Sequence, residues 1–171
     1  MVLRALEPED LDELYAIEND VDVWRVGVTN VPYSRYVLRD YISRATGDIY
    51  VDRQVRLMIC KDDDKNAVIG IVDIVNFEPA HLHAEVSIVI KAQYRGMGYA
   101  SDTLDRLADY SHNILHLHQL YAIVDADNAP SLALFRSKGY TTAGTLQDWL
   151  FDGIHFHPAI IMQLIILADD K

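Results

Sequence analysis

Apolar positions repeat with two different periods along this chain, and the points of changeover mark out its elements. Val2-Leu3-Arg4-Ala5 reads as a short first strand. Pro8, Glu9 and Asp10 then open a helix, because proline suits a first helical turn and acids complement the positive end of the helix dipole. Leu11, Leu14, Tyr15 and Glu18 follow at helical spacing. A second helix is predicted from about Ser34 to Ala45, with Val37, Leu38, Tyr41 and Ile42 on one side. Three strand-like runs come next: Gln54 to Cys60, Ala67 to Phe77 and Leu82 to Ile90. The short polar breaks between them imply antiparallel hairpins. A helix from about Gly98 to His112 presents Ala100, Leu104, Leu107, Ala108 and Ser111 as its apolar face. Leu120 to Val124 is a further strand, and Asn128 can cap the helix that follows, with Pro130 in its first turn and Gly139 after its end. Tyr140 to Phe151 and Ile154 to Leu167 close the chain as two strands joined at Asp152-Gly153.

The 171 residues show no repeat, low-complexity tract or proline/glycine-rich linker, so one domain over 1–171 is expected, long enough for a sizeable core. Half of the residues are apolar, which argues against disorder, and no apolar run reaches the roughly 18 residues of a membrane span. Cys60 is the only cysteine and sits in an apolar run, so it reads as a small buried hydrophobe. One cysteine and no visible basic-then-apolar leader together point to a cytoplasmic protein. A formal net charge of −11 disfavours nucleic acid as a partner and suits a cationic one.

The chemistry concentrates at Tyr94-Arg95-Gly96-Met97-Gly98-Tyr99-Ala100, where a strand gives way to a helix. Backbone N–H groups at such a turn have no intrahelical partner, and the helix dipole adds positive charge, so the place suits a phosphate or pyrophosphate. Gly96-Met97-Gly98 also begins a dinucleotide fingerprint, with Asp125 as a possible ribose acid. That reading fails on two counts. Ser101 stands where the third glycine belongs, and antiparallel strands surround the turn where a doubly wound fold would alternate strand and helix. No Gly-Lys-Ser/Thr follows, which excludes a P-loop.

Arg95-Gly96-Met97-Gly98-Tyr99-Ala100 resembles the R-x-x-G-x-G/A signature of the GNAT acetyltransferase superfamily. Asn128, Ser131, Phe135, Arg136, Lys138 and Gly139 resemble its N-x-x-S/A-x-x-x-Y/F-x-K-x-G segment, and the order of elements matches as well. Leu3 to Leu11, Leu120 to Asn128 and Phe151-Asp152-Gly153 are similar to the branch holding bacterial spermidine N-acetyltransferases and ribosomal-protein N-terminal acetyltransferases. The resemblance implies an α+β (α/β) GNAT fold, with a mixed, mostly antiparallel sheet of about seven strands flanked by four helices. It implies an acetyl-CoA-dependent N-acetyltransferase acting on a primary amine, with a polyamine or diamine favoured. An N-terminal acetyltransferase of a ribosomal protein and a non-catalytic acyl-CoA-binding module stay open. No metal, nucleic acid or membrane is implied, and a homo-oligomer is expected.

By the same resemblance, Arg95, Gly96, Met97, Gly98, Tyr99, Ala100 and Ser101 hold the pyrophosphate, and Ile88, Val89 and Ile90 pair with the pantetheine arm. Asn128 and Ser131 touch the cofactor, and Phe135, Arg136 and Lys138 lie near it. Glu85 is the candidate base or amine binder. Along Leu82 to Ile90 the alternate positions are apolar, so Glu85 points the other way, and a mid-strand carboxylate needs a partner or a cleft. Two departures stand out. Phe135 occupies a place where many GNAT enzymes carry a tyrosine that can protonate the leaving sulfur, so either another group, such as Tyr121 or Tyr140, or water serves as donor, or the activity is weak or absent. Thr29 and Asn30 stand in a loop where the spermidine enzymes carry acids. Three His-x-His pairs, His81/His83, His116/His118 and His155/His157, lack the further ligands of a metal site. His155 or His157 could border the acceptor pocket. Trp149, Tyr36 and Tyr41 are expected in the core or in a pocket wall.

Overall fold

The computed structural model describes residues 1–24 and 31–166. Thr29, Asn30 and Leu167 therefore lie outside the described residues. Among the described residues seven strands form a single sheet: β1 (Val2–Ala5), β2 (Val55–Cys60), β3 (Val68–Glu78), β4 (His83–Ile90), β5 (Gln119–Asp125), β6 (Thr141–Phe151) and β7 (Phe156–Ile165). Their order across the sheet is β1-β2-β3-β4-β5-β7-β6. Every neighbouring pair is antiparallel except β4 and β5, which run parallel because a helical crossover joins them.

The four expected helices are present as α1 (Leu11–Glu18), α3 (Arg35–Arg44), α5 (Tyr99–Asn113) and α6 (Ala129–Ser137). Two more, α2 (Val21–Trp24) and α4 (Ile49–Asp52), are single turns. Four residues carry no readable 3.6-residue period, so local capping decides them. The Asp48 side chain accepts from the Tyr50 N–H to start α4, and Arg53 ends it at φ 56°.

Alternation along the strands divides the core between two faces. Leu104 and Leu107 of α5 and Leu132 and Phe135 of α6 pack with Ile59, Val72, Val86 and Leu120. On the other face Leu14 and Ile17 of α1 and Leu38 of α3 pack with Met58, Cys60 and Ile71. β2 and β3 are covered on both sides, which explains the unbroken run of buried residues from Val68 to Ile74 in β3, Asp73 among them. Further along, Leu120, Ala122 and Val124 of β5 are buried under α5 and α6, whereas Tyr121 and Ile123 are only half-buried. The apolar β6–β7 end is thus open on one face. Trp149 is 54% exposed there and Tyr36, on α3, is 77% exposed, so neither belongs to the core. Tyr41 does pack inward, with the Arg56 guanidinium 5.3 Å from its ring centre.

Candidate active site

β4 and β5 pair over three residues only: His83 with Gln119, Ala84 with Leu120, and Glu85 with Tyr121. Beyond that point β4 stays bonded to β3 as far as Ile90, while β5 stays bonded to β7 as far as Asp125. The two strands separate, and the β4 edge from Val86 onward faces a gap with no strand in it. Main-chain N–H and C=O groups on such an edge are ready to pair with an extended ligand.

The gap opens into a groove of about 560 Å³. Ile88, Val89 and Ile90 form one wall, and Asn128, Ser131 and Leu134 of α6 contribute another. Arg95, Gly96, Gly98, Tyr99, Ala100 and Ser101 line the end at which α5 begins. Gly96 at φ 74° and Gly98 at φ 85° both take the left-handed conformation that glycine adopts without penalty. Gly98 caps α5 with no side-chain hydrogen bond, so the first-turn amides remain available to an anion. Arg95 Nε donates to the Ile90 carbonyl at 2.9 Å, which fixes its guanidinium at the junction of strand and turn. Asn128 Oδ1 accepts from the Ser131 N–H at 3.1 Å, so the asparagine caps α6 and borders the groove together. Tyr94, at the head of the glycine turn, and Pro130, in the first turn of α6, also line it, as do Asp22 and Val23, which no motif marked.

Glu85 and Tyr121 lie outside this lining, and so do four of the residues expected to bind the cofactor. Met97 is 63% exposed at the tip of the turn. Phe135 is buried in the core, its ring edge-on to Tyr140 at 4.9 Å. Arg136 is exposed on α6. Lys138 is held by Asp105 of α5 at 2.6 Å, which draws it toward that helix. Tyr140, the other donor considered, is equally buried, and burial pushes its hydroxyl pKa far above the ordinary value.

At the vertex where the strands part, Glu85 and Tyr121 stand side by side. A bulge in β3 adds a third group. Val75 pairs with Glu85 and Glu78 with His83, so Asn76 and Phe77 together oppose Ala84. Phe77 goes into the core; Asn76 takes φ 52° and its amide donates to Glu85 Oε2 at 2.8 Å. Tyr121 stands beside Glu85 on the neighbouring strand, within electrostatic reach of both Glu85 and Asn76. Burial, and then the Glu85 charge, raises the Tyr121 pKa, so the phenol keeps its proton at neutral pH.

Beside this vertex, His83, Gln119, Tyr121 and Gln163 border a second, shallower cavity of about 210 Å³. The His83 ring lies edge-on to Tyr121 at 5.9 Å, and its Nδ1 is buried with no hydrogen-bond partner among the described residues. His157 belongs elsewhere: Asp152 holds its Nε2 at 2.8 Å, and Asp127 stands 3.6 Å from its Nδ1. No group of three or more His, Cys, Asp or Glu suited to a metal ion occurs among the described residues. None of the described helices is long and apolar enough to cross a membrane.

A split parallel pair, a bare helix start at its mouth and a carboxylate at its vertex define an acyl-transferase architecture. Residues 1–141 match the family described as acetyltransferase (GNAT) domain, and the chain belongs to that family. Among individual proteins, it is similar to the spermidine N(1)-acetyltransferase of Escherichia coli strain K12, with 31% identity covering 99% of this chain and 89% of the relative. The spermidine N(1)-acetyltransferase of Vibrio cholerae is 28% identical, over 88% of this chain and 84% of its own. Two solved structures of the Vibrio cholerae enzyme superimpose closely. The complex with CoA and spermine gives a TM-score of 0.86 at 25% identity, covering 96% of this chain and 94% of that one. A dodecameric form in an intermediate state gives 0.81 at 26% identity, covering 96% and 93%.

Proposed function

We propose that this protein transfers acetyl from acetyl-CoA to a primary amine of a small polyamine or diamine. The observation that carries the reading is the parting of β4 and β5 just past Glu85 and Tyr121, with the 560 Å³ groove beginning three residues further along β4 at Ile88. First-turn amides of α5 and Arg95 would hold the pyrophosphate, and the unpaired β4 edge would align the pantetheine arm, so that the thioester reaches the vertex. Holding two reactants in this way supplies much of the rate.

An alkylamine is mostly an ammonium ion near pH 7, because its ordinary pKa lies near that of lysine, about 10.4. Glu85 attracts the ammonium and takes its proton, directly or through a water. The freed nitrogen attacks the thioester carbon, and the carbon–sulfur bond breaks as the tetrahedral adduct collapses. A β4 amide near Ile88 or Val89 meets the oxygen that gains charge. Phe135 has no proton to give, so the neutral Tyr121 phenol protonates the departing thiolate, and the second proton shed by the newly acylated nitrogen returns through water to the phenolate.

Similarity to spermidine acetyltransferases, one of them seen with spermine, supports a polycationic acceptor. So does the charge of −11. The dodecameric relative and the exposed Trp149, Phe151 and Phe156 of the open β6–β7 end support self-association. Free-thiol release, measured with acetyl-CoA and a panel of amines, tests the reading. Turnover with spermidine, spermine or a diamine, and none with peptides bearing a free N-terminus, is the expected pattern. Turnover of the peptides alone would assign the protein to N-terminal acetylation. Tight acetyl-CoA binding without any turnover would make it a binding module.

A further inference from the structure

We infer that Asn76 is a positioning residue for the reaction proposed above, holding the Glu85 carboxylate in its working orientation beside the Tyr121 phenol. The inference rests on that proposed function, but its structural basis is separate. Three features converge on Asn76. A bulge interrupts β3 opposite Ala84, one residue from Glu85 in the β4 sequence. An extra residue at such a bulge re-aims a side chain that regular pairing would direct elsewhere. The bulged residue has φ 52°, which asparagine tolerates better than most residues, so the backbone geometry and the side-chain type agree. The amide then donates to Glu85 Oε2 at 2.8 Å, and Glu85 in turn stands beside Tyr121 on the neighbouring strand.

Without that amide a half-exposed glutamate on a strand would turn about several side-chain bonds. With it, one carboxylate oxygen is engaged by Asn76. The amide donor also acts on Tyr121 in the direction opposite to burial, favouring the phenolate and so moderating the rise in its pKa. Asn76 thus tunes the donor and orients the base through one side chain, and it does not itself line the groove.

The test uses the whole protein with Asn76→Gly, which keeps the left-handed backbone and deletes only the amide, beside Asn76→Ala. Kinetics with a turned-over polyamine are read together with ¹⁹F NMR of 3-fluorotyrosine placed at position 121 and titrated with base. The expected result for Asn76→Gly is a kcat lower by about tenfold, a KM for the amine within about twofold, and a Tyr121 midpoint moved to higher pH. A kcat within about twofold of the parent overturns the inference whatever the NMR signal does. So does a lower kcat with an unmoved Tyr121 midpoint, since the loss would then arise outside this cluster. If the parent protein turns over no amine, the proposed function fails instead, and an unmoved Tyr121 midpoint would independently remove the Asn76 cluster.

Discussion

Glu85 shows how little a local reading needs when a strand alternates cleanly. Ala84 and Val86 on either side are buried, so the carboxylate lies on the opposite face, where the helix-covered part of the sheet ends. If it takes the amine proton, Glu85→Gln keeps the shape and removes the basic oxygen. Its kcat/KM should then fall by about 10² to 10⁴, with acetyl-CoA affinity by calorimetry unchanged. An unaltered kcat/KM would deny the residue its role. The motif at Arg95 was equally readable, because a turn that needs two left-handed residues writes itself as glycines at 96 and 98. Asn76 was not readable. Its sequence surroundings, Val75-Asn76-Phe77, look like any strand interior, and only the pairing register reveals the bulge. Phe135 was legible as a motif position but not in its packing: a shared motif position does not say which way the ring faces, and here it packs on Tyr140.

Among the elements, β3 and β4 carry the site and depend on close approach. A side chain on Gly70 would bring its first carbon within 2.1 Å of the Val89 carbonyl oxygen, across the pairing of Gly70 with Ile90. Gly70→Ala must therefore push the far end of β4 away. A loss of about 1 to 3 kcal/mol in urea unfolding, with weaker acetyl-CoA binding, is the expected result, and a fully stable variant that binds normally would contradict it. The β6–β7 hairpin has its own clasp. Asp152 accepts from the backbone of Ile154 and His155 as well as from His157, which holds its carboxyl well below the usual range. The hydrogen bond to Asp152 raises the His157 pKa, with lesser help from nearby carboxylates. A raised folded value means that the clasp is at full strength below the ordinary imidazole pKa of about 6.5, and is lost as pH climbs through the folded value. Hydrogen exchange at the hairpin should therefore quicken over that interval and, in His157→Gln, become independent of it. An interval that persists in the variant would assign the effect elsewhere. Helix ends were legible where caps are chemical, as at Ser34 and Asn128, and illegible in α2 and α4, which are too short to show a period.

For the molecule as a whole, charge and exposed apolar surface make separate demands. A chain of net charge −11 draws a polycation toward it through a field that salt screens, with a Debye length of about 10 Å at 0.1 M and about 3 Å at 1 M. The KM for a polyamine should rise several-fold across that range while kcat changes little; a KM indifferent to salt would mean that short-range contacts alone select the acceptor. The open β6–β7 end exposes Trp149, Phe151, Ile154 and Phe156, with Phe156 at 61%, and a cluster of large apolar side chains is the kind of surface that marks an interface. Sedimentation velocity should accordingly find assemblies larger than one chain, and a persistent monomer at high concentration would rule them out. Periodicity alone set which residues enter strands and long helices, and which side of each is apolar, because both follow from where a side chain points on a local backbone. Local chemistry likewise set the glycine turn. Only the folded chain decided that β4 and β5 part after Glu85, that Asn76 reaches across from β3, and that Trp149 stays at the surface. Those outcomes depend on pairing register and on which strand a helix covers, and both are fixed by contacts between residues far apart in sequence.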